Sequence, residues 1–252
     1  MTQTSCSASY AFSRSQGVAR RWAIGALLAL VGLMAGCATV ANPDRRDPLE
    51  SFNRGMFDFN TGVDRVVLKP VAKGYQAVVP QWARRGVGNF FNNLGDVWSA
   101  INNGLQARGQ ETGDSIGRVM VNTTIGLGGV IDVASDLGID RHSTNFGATL
   151  GRWGVYPGPF IVLPLLGPAT LREVVALPVD QQGSLVTHVP DEGTRVGMAL
   201  LNVVDLRAQY LRAGDVVNGA ALDRYTFTRE AYLQRQRNAD YDGDPPEEDM
   251  GP

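Results

Sequence analysis

From Gly154 to Leu171 the chain runs eighteen residues without a charge, and Pro157, Pro159, Pro164 and Pro168 interrupt the run. A membrane-spanning helix needs roughly 20 apolar residues and an intact hydrogen-bond ladder. Each proline removes a backbone donor and bends the chain, so a continuous spanning helix is excluded. Two readings remain. One is a buried core loop and strand, for which short apolar runs are common. The other is a re-entrant hairpin of two short helical arms, embedded in a membrane with protein covering its broken backbone. Arg152, Arg172 and Glu173 frame the run where headgroups would lie. The small-xxx-small face Gly147–Gly151 just before it allows close helix approach in lipid. The re-entrant hairpin is the expectation taken forward.

The N-terminus reads as a targeting segment. Arg14, Arg20 and Arg21 precede the apolar run "WAIGALLALVGLMAG", which stops at Cys37 with no acidic residue before it. Small residues before a lone cysteine are the pattern of lipoprotein processing. Residues 1–36 are therefore expected to be a signal peptide, and Cys37 the acylated first residue of the mature chain. Several acyl chains on one residue give stable anchoring. Ala38, rather than Asp, after the cysteine favours sorting to an outer membrane. Residues 37–46 form a lipidated polar linker, and 238–252 an acidic, proline-containing tail expected to be disordered.

Removing the leader takes three arginines with it, leaving 20 basic against 25 acidic residues. No basic excess exists to neutralise phosphates along a nucleic acid. Cys6 and Cys37 are the only cysteines, and His142 and His188 the only histidines. A disulfide scaffold and a Cys/His metal site are thereby excluded, and no cofactor is expected. Ser184 lacks the G-x-S-x-G frame of a hydrolase nucleophile. "IGLGGVID" (125–132) breaks the G-x-G-x-x-G pattern at Ile131 and reads as a turn. Asp132 and Asp136 fit a solvated helix face. No constellation for catalysis emerges.

Between 47 and 237 the pattern is helical, without a fixed-period repeat or a linker. Asp47-Pro48-Leu49-Glu50 reads as a capping box, with Asp47 as N-cap. Leu49, Phe52, Met56, Phe59, Val63 and Val66 then recur at helical spacing, up to a stop expected before Pro70. A short piece follows at 71–79. Pro80 and Trp82 open a longer helix with Phe90, Phe91, Leu94, Val97, Trp98, Ile101 and Leu105 along one side. Further helix is expected over 113–139, whose β-branched first half would by propensity also permit strands, and over 143–154 and 171–177, the last ending at Pro178. Another follows Asp191, with Val196, Leu200, Val203, Val204, Leu206 and Tyr210 in its stripe, and a last one covers 222–237. The fold class is all-α, with one domain over 47–237.

Five blocks carry a resemblance to a known family: "DPLESFNRGMFDFN" (47–60), "VGNFFNNL" (87–94), "RVMVNTTIGLGGVIDVAS" (118–135), "FGATLGRWGVYPGPFIVLPLLGPATLRE" (146–173) and "REAYLQRQ" (229–236). In this order they resemble the MlaA/VacJ family of outer-membrane lipoproteins. The resemblance implies a ring-like arrangement of amphipathic helices in the outer membrane, around a channel for phospholipid. It implies retrograde phospholipid transport, which preserves lipid asymmetry, without enzymatic activity. Trimeric porins and a soluble periplasmic lipid-binding carrier are the implied partners. The lipid path is expected along Gly147, Gly151, Trp153, Gly154, Pro157, Gly158, Pro159, Phe160, Pro164, Gly167 and Pro168. Asp58, Phe59 and Asn60 are expected at a gate-sensitive helix turn. Asp58, Pro157 and Phe160 stand where the family commonly has Asn, Gly and Tyr. A lipoprotein that scaffolds porins without moving lipid is the alternative.

Overall fold

The computed structural model describes residues 44–214 and 222–246. Its helices are α1 (Glu50–Val63), α2 (Lys69–Val78), α3 (Gln81–Leu105), α4 (Gly109–Thr124), α5 (Val133–Asp136), α6 (Phe146–Arg152), α7 (Leu171–Gly183), α8 (Glu192–Gln209) and α9 (Arg224–Asp240). Strands β1 (Phe160–Leu163) and β2 (Gly167–Thr170) lie between α6 and α7. Cys37 and the signal segment fall outside the described residues.

Local signals set several boundaries. The Asp191 carboxylate accepts the Thr194 N–H at 2.6 Å and so starts α8. Asn145 caps α6 and Asp223 caps α9 in the same manner. Pro70 does not stop the first helix. Residues Asp64–Leu68 take π-helical geometry and lead straight into α2. The wider turn absorbs a proline that an unbroken α-helix would not accommodate. Pro178 likewise lies inside α7 rather than at its end. Asp47 does not cap α1, since no side chain does; it is fully buried and used elsewhere.

The expected re-entrant membrane hairpin is not present. Among the described residues no helix is long and apolar enough to cross a membrane. The uncharged stretch folds instead as an antiparallel β-hairpin, pairing Phe160 with Thr170 and Leu163 with Gly167. Its prolines explain the choice. Pro159 precedes β1, Pro164 opens the turn, and Pro168 sits on a strand with a free edge, where a missing donor is tolerated. Phe160 and Val162 point into the protein at 1% exposure, where they meet Met56 and Tyr225. The Phe160 ring packs edge-on against Tyr225 and Tyr232, with centroids 6.3 and 5.8 Å away. The buried-strand reading describes this segment. The Gly147–Gly151 face is also explained within the protein. Gly147 lies against Glu173, and a Cβ on Gly151 would sit 2.7 Å from the Arg172 guanidinium.

Along α3 and α8 much of the buried face is polar and apolar residues face outward. An apolar stripe runs along one side of α3, yet α3 buries Asn93, Asp96, Ser99, Asn102 and Asn103. Trp82, Ile101 and Leu105 face outward. In α8, Asp205 and Ala208 are buried while Val196, Leu200, Val203 and Leu206 are exposed. Donors along the buried stripe of α3 are met by α4, α6 and the segment between them, while the side-chain oxygens of Asn93 and Asn103 have no partner. Asn93 donates to Thr123, Asn103 to Ser115 and the His142 carbonyl, and Gln106 to Thr144 and Thr149. His142, expected in an exposed loop, is half-buried with its ring 3.0 Å from Asp114.

Arg118 is the hub of this polar interior. Its side chain, 3% exposed, donates to Asp96 at 3.2 Å, to both Asp132 oxygens at 2.9 and 3.0 Å, to Ser135 and to the Ile139 carbonyl. Asp132 is thus a partner of Arg118 and the N-cap of α5, not part of a solvated face. Burial pushes its carboxyl up, but hydrogen bonds from Ser135, Asn122 and Arg118 outweigh that and hold it at about 2. A depressed carboxylate contributes stability above its unfolded value of 3.8 and loses it as pH falls toward about 2. Asp132→Asn is therefore expected to be less stable near neutrality and to show a flatter loss between these two values. Denaturant titrations across that pH range measure it.

Candidate functional site

A cavity of about 960 Å³ opens between the α6–β1 segment and α9. α6 ends in a turn at Gly154, where φ is +88°, a left-handed conformation that favours glycine. Val155, Tyr156 and Pro157 then form one wall, and Leu233 on α9 extends it. Tyr156 is 78% exposed, so this wall is apolar but open. The other side is polar: Arg46, Arg152, Arg172, Glu230, Gln236, Arg237 and Asp240. The size is at the upper end for a small-ligand site.

Ion pairs hold α9 against α6 and α7. Arg172, with a side chain 1% exposed, donates to both Asp240 oxygens at 2.7 and 2.8 Å, and to the Val155 carbonyl at 2.8 Å. Arg152 reaches Asp242 at 2.6 Å, and Arg108 meets the other oxygen of that carboxylate. Arg46 pairs with Glu230 at 3.0 Å. Asp240 and Asp242 belong to the expected acidic tail; residues 247–252 of that tail lie outside the described residues. Beneath the cavity Glu173 accepts from the Tyr232 hydroxyl. Burial raises its carboxyl above the usual range, against the opposing pull of the Thr170 N–H, Gln236 and the nearby arginines. In the described residues no group of three His, Cys, Asp or Glu side chains could hold a metal ion.

The expected path residues divide. Gly151, Gly154, Pro157 and Gly158 line the cavity. Phe160 is core, Pro164 and Gly167 flank the hairpin turn, and Pro168 lies in β2. Pro159 accepts the Leu171 N–H. Gly147 packs on Glu173, and Trp153 donates its indole N–H to the Leu105 carbonyl at 3.0 Å. Asp58, Phe59 and Asn60 sit within α1, away from this cavity. Asn60 fixes the hairpin turn, donating to the Leu163 carbonyl at 2.8 Å and accepting the Leu165 N–H at 2.7 Å. Asp58 lines a smaller pocket of about 350 Å³ with Arg54 and Asp223. The contributions of Arg46 and α9 went unseen in the sequence. The block at 229–236 was their one visible signal.

The MlaA lipoprotein family profile matches residues 45–239. The intermembrane phospholipid transport system lipoprotein MlaA of Escherichia coli is 36% identical over 209 residues, covering 81% of this chain and 82% of that protein. Its counterpart in Haemophilus influenzae is 37% identical over 223 residues, covering 83% and 86%. An uncharacterised protein of Rickettsia prowazekii is 38% identical over 195 residues, covering 77% of each. A solved chain from work on the structural basis for maintenance of bacterial outer membrane lipid asymmetry superposes with a TM-score of 0.69. It is 35% identical, and the match covers 79% of this chain and all of that one. With the profile spanning most of the sequence and relatives aligned over four-fifths of it, the chain belongs to the MlaA lipoprotein family.

Proposed function

We propose that this chain is an outer-membrane lipoprotein that transports phospholipid and thereby maintains outer-membrane lipid asymmetry. The names of its relatives support the reading. The observation that carries it is the inverted polarity: buried asparagines and ion pairs inside, apolar stripes outside on α3, α4 and α8. Ile116, Met120, Ile125 and Leu127 follow one another outward along the end of α4 and its turn, each at least 48% exposed. Exposed apolar surface on this scale marks a lipid or protein contact. The cavity adds a polar floor for a headgroup beside an apolar wall for acyl chains. Lipid transfer makes and breaks no bond, so the protein acts as a transporter and not as an enzyme.

Cys37 carries the anchor in this reading. Trimeric porins are its membrane partners, and a soluble periplasmic lipid-binding carrier receives the cargo. The test uses the acylated mature chain in vesicles with labelled phospholipid in one leaflet and such a carrier outside. Label is expected to reach the carrier only when the chain is present. Label that stays in the vesicles with the chain present would establish a scaffold instead. Cys37→Ala is expected to lack the acyl mass and to be recovered in the soluble fraction. An unchanged acyl mass would refute the anchor assignment.

A further inference from the structure

Two of the buried polar groups along the cavity that have no hydrogen-bond partner within the protein lie close together in sequence, at the start of α7. Thr170, fully buried just before α7, leaves its hydroxyl unbonded. Arg172, 4% exposed, bonds Asp240 and the Val155 carbonyl through its two terminal nitrogens and leaves its Nε–H unbonded. Both residues line the cavity. Leaving a buried donor unmade is costly, and more so on a charged group. Such orphans side by side along one cavity mark strain or a ligand.

Further observations favour a ligand, and an anionic one. Four arginines line the cavity, Arg46, Arg152, Arg172 and Arg237, the first three of them held by Glu230, Asp242 and Asp240. Three hydrogen bonds fix the Arg172 guanidinium, and Gly151 lies so close that a Cβ there would crowd both it and Asp240. A fixed guanidinium with one N–H to spare is pre-organised to receive an oxygen. The cavity is far larger than a bare phosphate ion, and its other wall is Val155, Tyr156 and Leu233. That combination fits a phosphate carrying apolar substituents.

We propose that Thr170 Oγ1 and Arg172 Nε form the seat for a phosphate oxygen, and that its occupant is the phosphodiester of a lipid headgroup. The assignment of a lipid rests on the transport reading above. Both groups act as donors to the same anionic oxygen cluster, while Val155, Tyr156 and Leu233 cover the start of the acyl chains.

Calorimetric titration of the purified mature chain in detergent tests it with three probes. These are dihexanoyl phosphatidylglycerol, dihexanoylglycerol lacking the phosphate, and inorganic phosphate. The phospholipid is expected to bind at least tenfold more tightly than dihexanoylglycerol, roughly the value of one charge-assisted hydrogen bond. Arg172→Lys keeps a cation opposite Asp240 but loses Nε–H, and Thr170→Val keeps the shape but loses the hydroxyl. Each is expected to weaken the phospholipid about tenfold and to leave dihexanoylglycerol unchanged. Equal affinities for the two lipids, or full affinity in both variants, would overturn the seat. Inorganic phosphate binding as tightly as the phospholipid would overturn the lipid as occupant. If Arg172→Lys melts early by circular dichroism, Thr170→Val decides. The vesicle assay separates the two claims: transfer by the wild type without phosphate-dependent binding sinks the seat alone, and absence of transfer sinks the transport reading.

Discussion

Asp47→Ala is expected to lower the free energy of unfolding by about 3–5 kcal/mol, the cost of leaving a buried charge without its partner. Asp47 is fully buried. Its carboxylate accepts from Asn53 at 2.7 Å, from Arg229 at 3.0 Å and from the Tyr225 hydroxyl. Arg229 has a side chain only 8% exposed, so removing Asp47 strands a cation that Asp44, Glu50 and Glu230 partly neutralise. Tyr225 shows the same coupling: burial and the Asp47 carboxylate together push its hydroxyl well above the usual phenol range. The junction also joins three segments. Asn53 donates to the Phe160 carbonyl and accepts the Val162 N–H, and Phe160 N–H reaches Arg46. Asp47→Asn retains the shape and one acceptor, so it is expected to lose less than the alanine. At this chain length the alanine loss corresponds to a fall in Tm of roughly 10 °C. Thermal melts of the three proteins in detergent provide the check, and an alanine variant within 1 °C of wild type would contradict the role.

The same residue shows where sequence reading stops. Asp-Pro-Leu-Glu satisfies every local requirement of a capping box, and α1 does begin within it. The carboxylate nevertheless serves partners as far away as Arg229, 182 positions on. Local pattern placed the helix, and tertiary contact decided the use of the side chain. α3 and α8 teach the complementary lesson. Their apolar periodicity gave the helices correctly, because one face differs from the other whichever way it points. Periodicity carries no sign, and the buried faces turned out to be the polar ones. Asn93, Asp96, Ser99 and Asn103 recur at helical spacing too, and that stripe was the available signal. The cavity was half legible. Gly151 to Gly158 is contiguous and conformationally unusual, whereas Arg46 and α9 join it only through folding.

Phe160→Ala is expected to destabilise the protein by about 3–5 kcal/mol, the range for emptying a buried aromatic site. A membrane-facing hairpin would respond differently, and the contrast makes the experiment decisive. Phe160 and Val162 are each 1% exposed, whereas Leu165 and Leu166 at the turn are 70% and 68% exposed. Alternation along β1 places Phe160 and Val162 on the inner face, so each inward truncation opens a cavity that neighbouring rings cannot close. Phe160 also bridges Tyr225 and Tyr232 on α9, so its loss loosens the helix that completes the cavity. Leu165→Ser touches none of these contacts, although the positive φ of 65° at Leu165 shows a turn held in place by Asn60. Its stability is expected to stay within about 0.5 kcal/mol of wild type, as for surface changes generally. Denaturant unfolding in one detergent would rank the two variants. Equal losses would mean that the hairpin is not packed as a core element, and a large loss for Leu165→Ser alone would reverse the inward and outward faces.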